Sequence, residues 1–311
     1  MQLIRGIHNL RAEHRGCVAT IGNFDGVHRG HRAVIDALKQ RAQEHGLPAL
    51  LITLEPQPLE FFAPDKAPAR LASLGEKLSL IRDAGIDRTL VLKFDGKMAS
   101  MEAQDFIEKI LVEKLGVRHL YVGDDFRFGK GRAGDFEMLK EYGKQHDFAV
   151  ESLDTVIYEG NRVSSSRIRE ALAKGDLAEA DLCLGRYYSI SGRVAHGHKL
   201  GRTIGFPTLN IELRRKKSPL LGIYAVTVKG LADEPLPGVA NLGNRPVLDG
   251  DDHYLLEVHL FDFDREVYGE HVEVVFEHFI RDEMKFDSFE LMREKILDDA
   301  RKAKLLLGCD V

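Results

Sequence analysis

From residue 17 onward, short apolar runs rich in β-branched residues alternate with longer stretches whose apolar positions recur at helical spacing. The runs CVATIG, ALLITLE, RTLVLKF, HLYVGDD and FAVESLD read as strands buried on both faces, because continuous apolar character rather than polar alternation marks such strands. Between them, RAVIDALKQRAQEHG, GEKLSLIRDAG, SMEAQDFIEKILVEKLG and GDFEMLKEYGKQH read as amphipathic helices, with Ser100 as the N-cap of the third. This alternation predicts a mostly parallel sheet with helices on both faces. Ligands of such sheets bind beyond the carboxyl ends of the strands, where strand order reverses.

After SSSRIREALAKGDLAEADLCLG the period changes. From about residue 186 the chain reads as successive strands, YSISGRVAHG, TLNIEL, GIYAVTVKG, LPGVANLG, YLLEVHLFDF and HVEVVFEHFI, separated by Gly, Pro and Asp clusters and followed by the helix SFELMREKILDDARKAKLLLG. The expected fold class is therefore α/β plus β: a Rossmann-like N-terminal domain over 1–184, then a small antiparallel β-barrel with a C-terminal helix over 185–311. A length of 311 residues agrees with two domains at the usual size of roughly 100–200 residues each.

Composition narrows the function classes. With 44% hydrophobic and 30% charged residues the chain is neither disordered nor fibrous. No apolar run approaches a bilayer span, and MQLIRGIHNLRAEHRG lacks the apolar stretch of a signal peptide, so the expectation is a cytoplasmic protein without a membrane partner. Cys17, Cys183 and Cys309 are odd in number and widely spaced, which argues against a disulfide framework or a thiolate zinc site. A net charge of −5 gives no footprint for nucleic acid, and the basic run LRRKKS at 213–218 reads as a solvated loop. Oligomeric state is left open, a monomer being compatible with the sequence.

Chemistry concentrates in a few segments. TIGNFDGVHRGH places His28 and His31 three residues apart among Gly22, Gly26 and Gly30, where the first strand hands over to a helix. A helix N-terminus is an anion site, glycines let a phosphate approach the backbone, and two imidazoles at i and i+3 can donate to one phosphate group. SSSRIR at 164–169 offers hydroxyls at a second helix start, with a guanidinium one turn in. In GDDFRFGKGRAG, Phe126 or Phe128 is a candidate to stack on a planar ligand. GRTIGFPTLNIEL sets Thr208 and Asn210 on one strand face, suited to Mg²⁺ beside ATP phosphates. Alternation in YLLEVHL puts Leu255, Glu257 and His259 on one face, which is expected to be buried.

GNFDGVHRGH resembles the HxGH motif of nucleotidyltransferases in the form seen in bacterial bifunctional riboflavin kinase/FMN adenylyltransferases. TLEPQPLEFF, VGDDFRFGKGRAGDF, RVSSSRIREAL, the PTLN stretch (similar to the PTAN motif), LPGVANLGNRP and LLEVHLFDFDREVYGE agree with that family in order. Leu209 and Val247 depart from its usual Ala and Thr. The resemblance implies that ATP phosphorylates riboflavin in the barrel and adenylylates FMN in the N-terminal domain, with Mg²⁺ as cofactor. It implies that His28 and His31 contact nucleotide phosphates, that Gly22, Phe24, Asp25, Gly26 and Gly30 shape that site, and that Arg162, Ser165, Ser166 and Arg169 hold the pyrophosphate end. Pro56, Pro58 and Phe62 would form a flavin-side wall, Phe126 or Phe128 would stack on the flavin, and Asp125 would touch a ribityl hydroxyl or the adenine. In the barrel it implies a nucleotide and flavin site built from Gly201, Pro207, Thr208, Asn210, Asn241 and Arg245. Glu257 would be its catalytic base, and RDEMKFDSFE would close over flavin. The competing expectation is an HxGH nucleotidyltransferase acting on another phosphorylated substrate, with the barrel only binding it.

Overall fold

The computed structural model describes residues 1–123, 125–152, 156–158, 160–196, 206–213, 217–246 and 252–310. By packing, the chain divides into two units: Met1–Ala67 with Lys77–Val163, and Pro68–Glu76 with Ser164–Val311. The boundary expected at 184/185 follows the change of sequence period, whereas the packing division falls earlier, at Val163/Ser164.

The first unit is built on β1 (Gln2–Arg5), β2 (Cys17–Ile21), β3 (Ala49–Glu55), β4 (Arg88–Lys93), β5 (Val117–Val122) and β6 (Ala149–Ser152), in the order β1-β4-β3-β2-β5-β6 with every neighbouring pair parallel. Strand order reverses at β2, which pairs with β3 on one side and β5 on the other. All five residues of β2 are buried, as an apolar run flanked by helices requires. Cys17, Ala19 and Ile21 face a core shared with Phe106 and Ile107, while Val18 faces α1 (Arg29–Glu44) through Ile35 and Leu38.

Further helices are α2 (Pro58–Phe62), α3 (Leu74–Asp83), α4 (Gly96–Ala99), α5 (Ala103–Asp105) and α6 (Phe136–His146). Ser100 is not the N-cap expected of it. It closes α4, donating its hydroxyl to Lys97 O at 3.1 Å, and Glu102 caps α5 instead. From Phe106 to Lys114 the helix continues in wide turns bonded five residues apart. The short hairpin β7 (Ile157–Tyr158) and β8 (Asn161–Arg162) follows the sheet.

In the second unit α7 (Ser165–Ala173) and α8 (Leu177–Leu184) precede six antiparallel strands: β9 (Ser189–Ala195), β10 (Leu209–Leu213), β11 (Gly222–Lys229), β12 (Leu236–Pro246), β13 (Asp252–Leu260) and β14 (His271–Arg281). They close into a barrel in the order β10-β13-β12-β11-β14-β9. Closure leaves no free sheet edge. Leu256, Val258 and Leu260 fill its interior beside Tyr224, Val226, Ala240 and Leu242, all at or near zero exposure. Helix α9 (Phe289–Leu306), capped by the Ser288 hydroxyl, packs Ala300 and Ala303 onto Ile223, Ala225 and Val239 of the outer barrel wall.

Candidate active sites

In the first unit the chain leaves β2 at the point of reversal and turns through Gly22–His28 into α1. Phe24 and Val27 hold φ values of +48° and +41°, a region that non-glycine residues seldom enter and β-branched ones almost never. Both side chains are buried with Ile35 and Ile81, so the core fixes a backbone shape that local preference opposes. His28 is the N-cap of α1: its Nδ1 accepts the His31 backbone N–H at 3.3 Å. An accepting Nδ1 carries no proton, which puts the N–H of the neutral ring on Nε2. The His31 ring stacks on His28 with centroids 3.6 Å apart and planes 17° from parallel, and it also meets Phe24.

Burial holds His31 well below the usual imidazole range, and the neighbouring His28 and Lys77 push it further down. A neutral ring is what such stacking requires, since two imidazoliums would repel across the gap. His31 Nδ1 is buried with no hydrogen-bond partner among the described residues. A Cβ at Gly30 would lie 3.1 Å from the His28 ring, and one at Gly22 3.1 Å from Phe24. The two glycines make room for the motif's own rings. Gly26, at φ +80°, supplies the turn, and Asp25 lies buried in the same loop.

Pro56 follows a cis peptide bond and Pro58 opens α2. Beyond them Phe62 is 63% exposed and packs edge-on with Phe61 and Phe94 at 5.3–5.6 Å, an open aromatic platform. Phe128 is tied into the core against Phe106, and Gly134 has no Cβ where that ring sits. Phe126, stacked on it, is the more open of the two. Asp125 and Arg162 form a loose surface pair 3.9 Å apart.

In the second unit the cap of α7 is Ser164, whose hydroxyl accepts from Arg167 N; Ser165 is the first helical residue and Ser166 is exposed. Arg169 Nε donates to Ala69 O at 2.6 Å.

On the barrel, Asn210 of β10 stands opposite Glu257 of β13, which stands opposite Asn241 of β12. Opposed residues of antiparallel strands share a face, so the three form a row. Because the interior takes Leu256 and Val258, this row lies on the outer wall, and Glu257 is half-buried there. The face bearing Leu255, Glu257 and His259 is thus the one turned away from the barrel core.

A cavity of about 530 Å³ opens on that face. Thr208, Asn241, Glu257 and His259 line it from the barrel, Glu283, Met284 and Phe286 from the segment after β14, and Phe289, Met292 and Ile296 from α9. Its size and mixed apolar and polar lining suit a flat ring with a polar tail. Asn210 Nδ2 donates to Thr208 O at 3.3 Å. Asn241 Oδ1 is buried without a partner among the described residues. Pro207 is exposed but its carbonyl accepts from His259 Nδ1 at 2.9 Å, which leaves a lone pair on Nε2 of the neutral ring. Burial keeps His259 below its ordinary range. Gly201, Val247 and the Arg245 side chain lie outside the described residues.

The sequence reading missed the part played by Arg281, Glu283 and Asp299. Arg281 makes a two-pronged pair with the buried Asp299 at 2.6–3.1 Å, joining β14 to α9 at the cavity wall. Burial pushes the Glu283 carboxyl up, the Asn244 backbone N–H and Arg281 pull it down, and the charge of Glu257 pushes it up again. The only sequence signal was that these residues lie in or near RDEMKFDSFE and a capped amphipathic helix.

A family model for FAD synthetase matches residues 10–167, and one for riboflavin kinase matches 184–307. Over 309 residues the chain is 50% identical to the bifunctional riboflavin kinase/FMN adenylyltransferase of Escherichia coli K12, covering 99% of this chain and 98% of that one. The chain belongs to the bifunctional riboflavin kinase/FMN adenylyltransferase family. Its relative of the same name in Pseudomonas fluorescens is 49% identical, with 98% of both chains covered. A crystal structure described as a macrolide-efflux protein from Streptococcus pneumoniae superimposes with a TM-score of 0.80 at 28% identity, covering 96% of this chain and 97% of that one. Among the described residues no helix is long and apolar enough to cross a membrane.

Proposed function

We propose that the two reactions of this family are divided between the two ends of the chain: residues 1–184 adenylylate FMN and residues 185–311 phosphorylate riboflavin. The enzyme is an ATP-dependent transferase that makes FMN from riboflavin and FAD from FMN. The observation that carries the division is the contrast in chemistry. A carboxylate, Glu257, lines the barrel cavity, whereas the loop after β2 presents two stacked imidazoles. An alcohol is a poor nucleophile, so the riboflavin 5′-hydroxyl needs a base to accept its proton, and Glu257 is that base. The phosphate of FMN is already an anion. Its attack needs positioning and donors to the growing charge, which the Nε2–H of His28, the His31 ring and the α1 N-terminus supply.

In the barrel, Thr208 and Asn210 would hold Mg²⁺, and the Oδ1 of Asn241, without a partner among the described residues, fits the same hard-oxygen donor set. When bound there, the ion would neutralise charge on the ATP phosphates. The apolar wall of Met284, Phe286 and Phe289 takes the flavin ring. Pro56, Pro58 and Phe62 are assigned to the FMN side of the adenylylation site, and Ser165, Ser166 and Arg169 to the pyrophosphate end, on the strength of their motifs. Cytoplasmic work on small molecules is part of the same proposal. Incubation with riboflavin, ATP and Mg²⁺, followed by separation of the flavins over time, is expected to show FMN before FAD. Consumption of riboflavin without a flavin phosphate would refute it.

A further inference from the structure

Strand β10 begins at Leu209, opposite Val258, so Thr208 stands one position before the ladder that ties β10 to β13. Pro207, which precedes it, has no N–H to donate to a sheet. Two side chains hold this stretch instead. His259 Nδ1–H donates to Pro207 O at 2.9 Å, and Asn210 Nδ2 donates to Thr208 O at 3.3 Å. These two carbonyls belong to the peptide planes on either side of the Thr208 Cα. Each peptide is planar, so holding both planes fixes the backbone of Thr208 and the direction of its Cα–Cβ bond. The His259 ring is held in its turn: Phe206 packs on it with centroids 4.2 Å apart, and Phe261 meets it edge-on at 5.9 Å. Thr208 and His259 line the same cavity.

We propose that His259 is a positioning residue for riboflavin phosphorylation: its bond to the Pro207 carbonyl sets the Thr208 hydroxyl toward the ATP phosphates and their Mg²⁺. The inference rests on the reading of Thr208 as an ion ligand in the barrel. Mg²⁺ tolerates little departure from octahedral geometry, so a threonine free to turn would be a poor ligand. His259 follows Glu257 by two residues on one face of β13. A single strand thus carries the base and orients the ion ligand, and both are in place before substrate arrives.

The test uses the full chain and the steady-state formation of FMN from riboflavin. His259→Phe keeps a ring against Phe206 and loses the donor, whereas His259→Asn keeps an N–H at nearly the reach of Nδ1. H259F is expected to lose about tenfold or more in kcat/KM for ATP with Mg²⁺, H259N to stay near wild type, and KM for riboflavin to hold in both. Combined with Thr208→Ala, H259F should cost nothing further, because its effect passes through the hydroxyl that T208A has removed. Wild-type rates in H259F, an H259N as impaired as H259F, or a full additional loss in the double variant overturns the proposal. So does a loss confined to KM for riboflavin, which would put the ring on the flavin. The imidazole nitrogen resonances of the metal-free wild-type protein at about pH 8 give a readout apart from activity. A neutral ring protonated on Nδ1 supports the proposal, and one protonated on Nε2 overturns it; the same spectrum decides should H259F fail to fold. T208A alone separates the two levels. If it leaves FMN formation intact, the ion-ligand reading fails; if it lowers FMN formation and H259F does not, only the role of His259 fails.

Discussion

At the scale of single residues, His28 does two jobs that substitution can part. It caps α1 through Nδ1, which puts the proton of its neutral ring on Nε2. Asparagine is a good N-cap but has no imidazole. His28→Asn is therefore expected to melt above His28→Ala by an amount equivalent to about 1 kcal/mol, while both lose FAD formation. Equal melting of the two variants would show that the cap contributes nothing. Gly243 makes a second case. A Cβ there would run into Glu283 Oε1, whose carboxylate also accepts the Asn244 backbone N–H. Gly243→Ala should push Glu283 out of the cavity wall and lower FMN formation several-fold, roughly 1 kcal/mol in kcat/KM, without touching FAD formation from FMN. Steady-state rates with each flavin check it, and an unchanged riboflavin rate would count against it.

Among the elements, the junction of α8 with β9 carries a measurable electrostatic cost. Asp181, near the end of α8, accepts the Tyr188 backbone N–H at 2.8 Å, and burial pushes its carboxyl from 3.8 up to about 6. A carboxyl raised in the folded state favours folding when protonated, so its contribution is fully present below about pH 4 and lost as pH rises through about 6. Asp181→Asn keeps an acceptor for Tyr188 without the charge. It is expected to raise stability at pH 8 by about 1–2 kcal/mol, with the gain vanishing near pH 4, as read from denaturant melts at the two pH values. No gain at pH 8 would contradict the burial argument.

Elements buried on both faces were legible in the sequence because they leave uninterrupted apolar runs, as in β2, β3 and β4. Strand β1 was not, since only Ile4 of its four residues is buried and no run or alternation results. The wide turns of Phe106–Lys114 leave no distinct mark in apolar spacing either. In the barrel cavity Glu257 could be read from its strand and Thr208 from the PTLN stretch, although Thr208 falls just before β10 and not on it. The Arg281–Asp299 pair could not, because its partners lie on separate elements that only the fold brings together.

For the whole molecule, the packing units and the family segments cut the chain at different places. Helices α7 and α8 pack with the barrel unit, as does the stretch Pro68–Glu76, although the family model for FAD synthetase runs on to residue 167. Function is therefore assigned by the residues of each site and not by the packing division. On this proposal one carboxylate serves the first reaction and one imidazole pair the second. The most direct measurement assays two full-length variants, Glu257→Gln and His28→Asn, with riboflavin and separately with FMN. E257Q is expected to make no FMN from riboflavin yet to convert supplied FMN to FAD at the wild-type rate, and H28N to make FMN and stop there. Loss of both activities in either folded variant would contradict it.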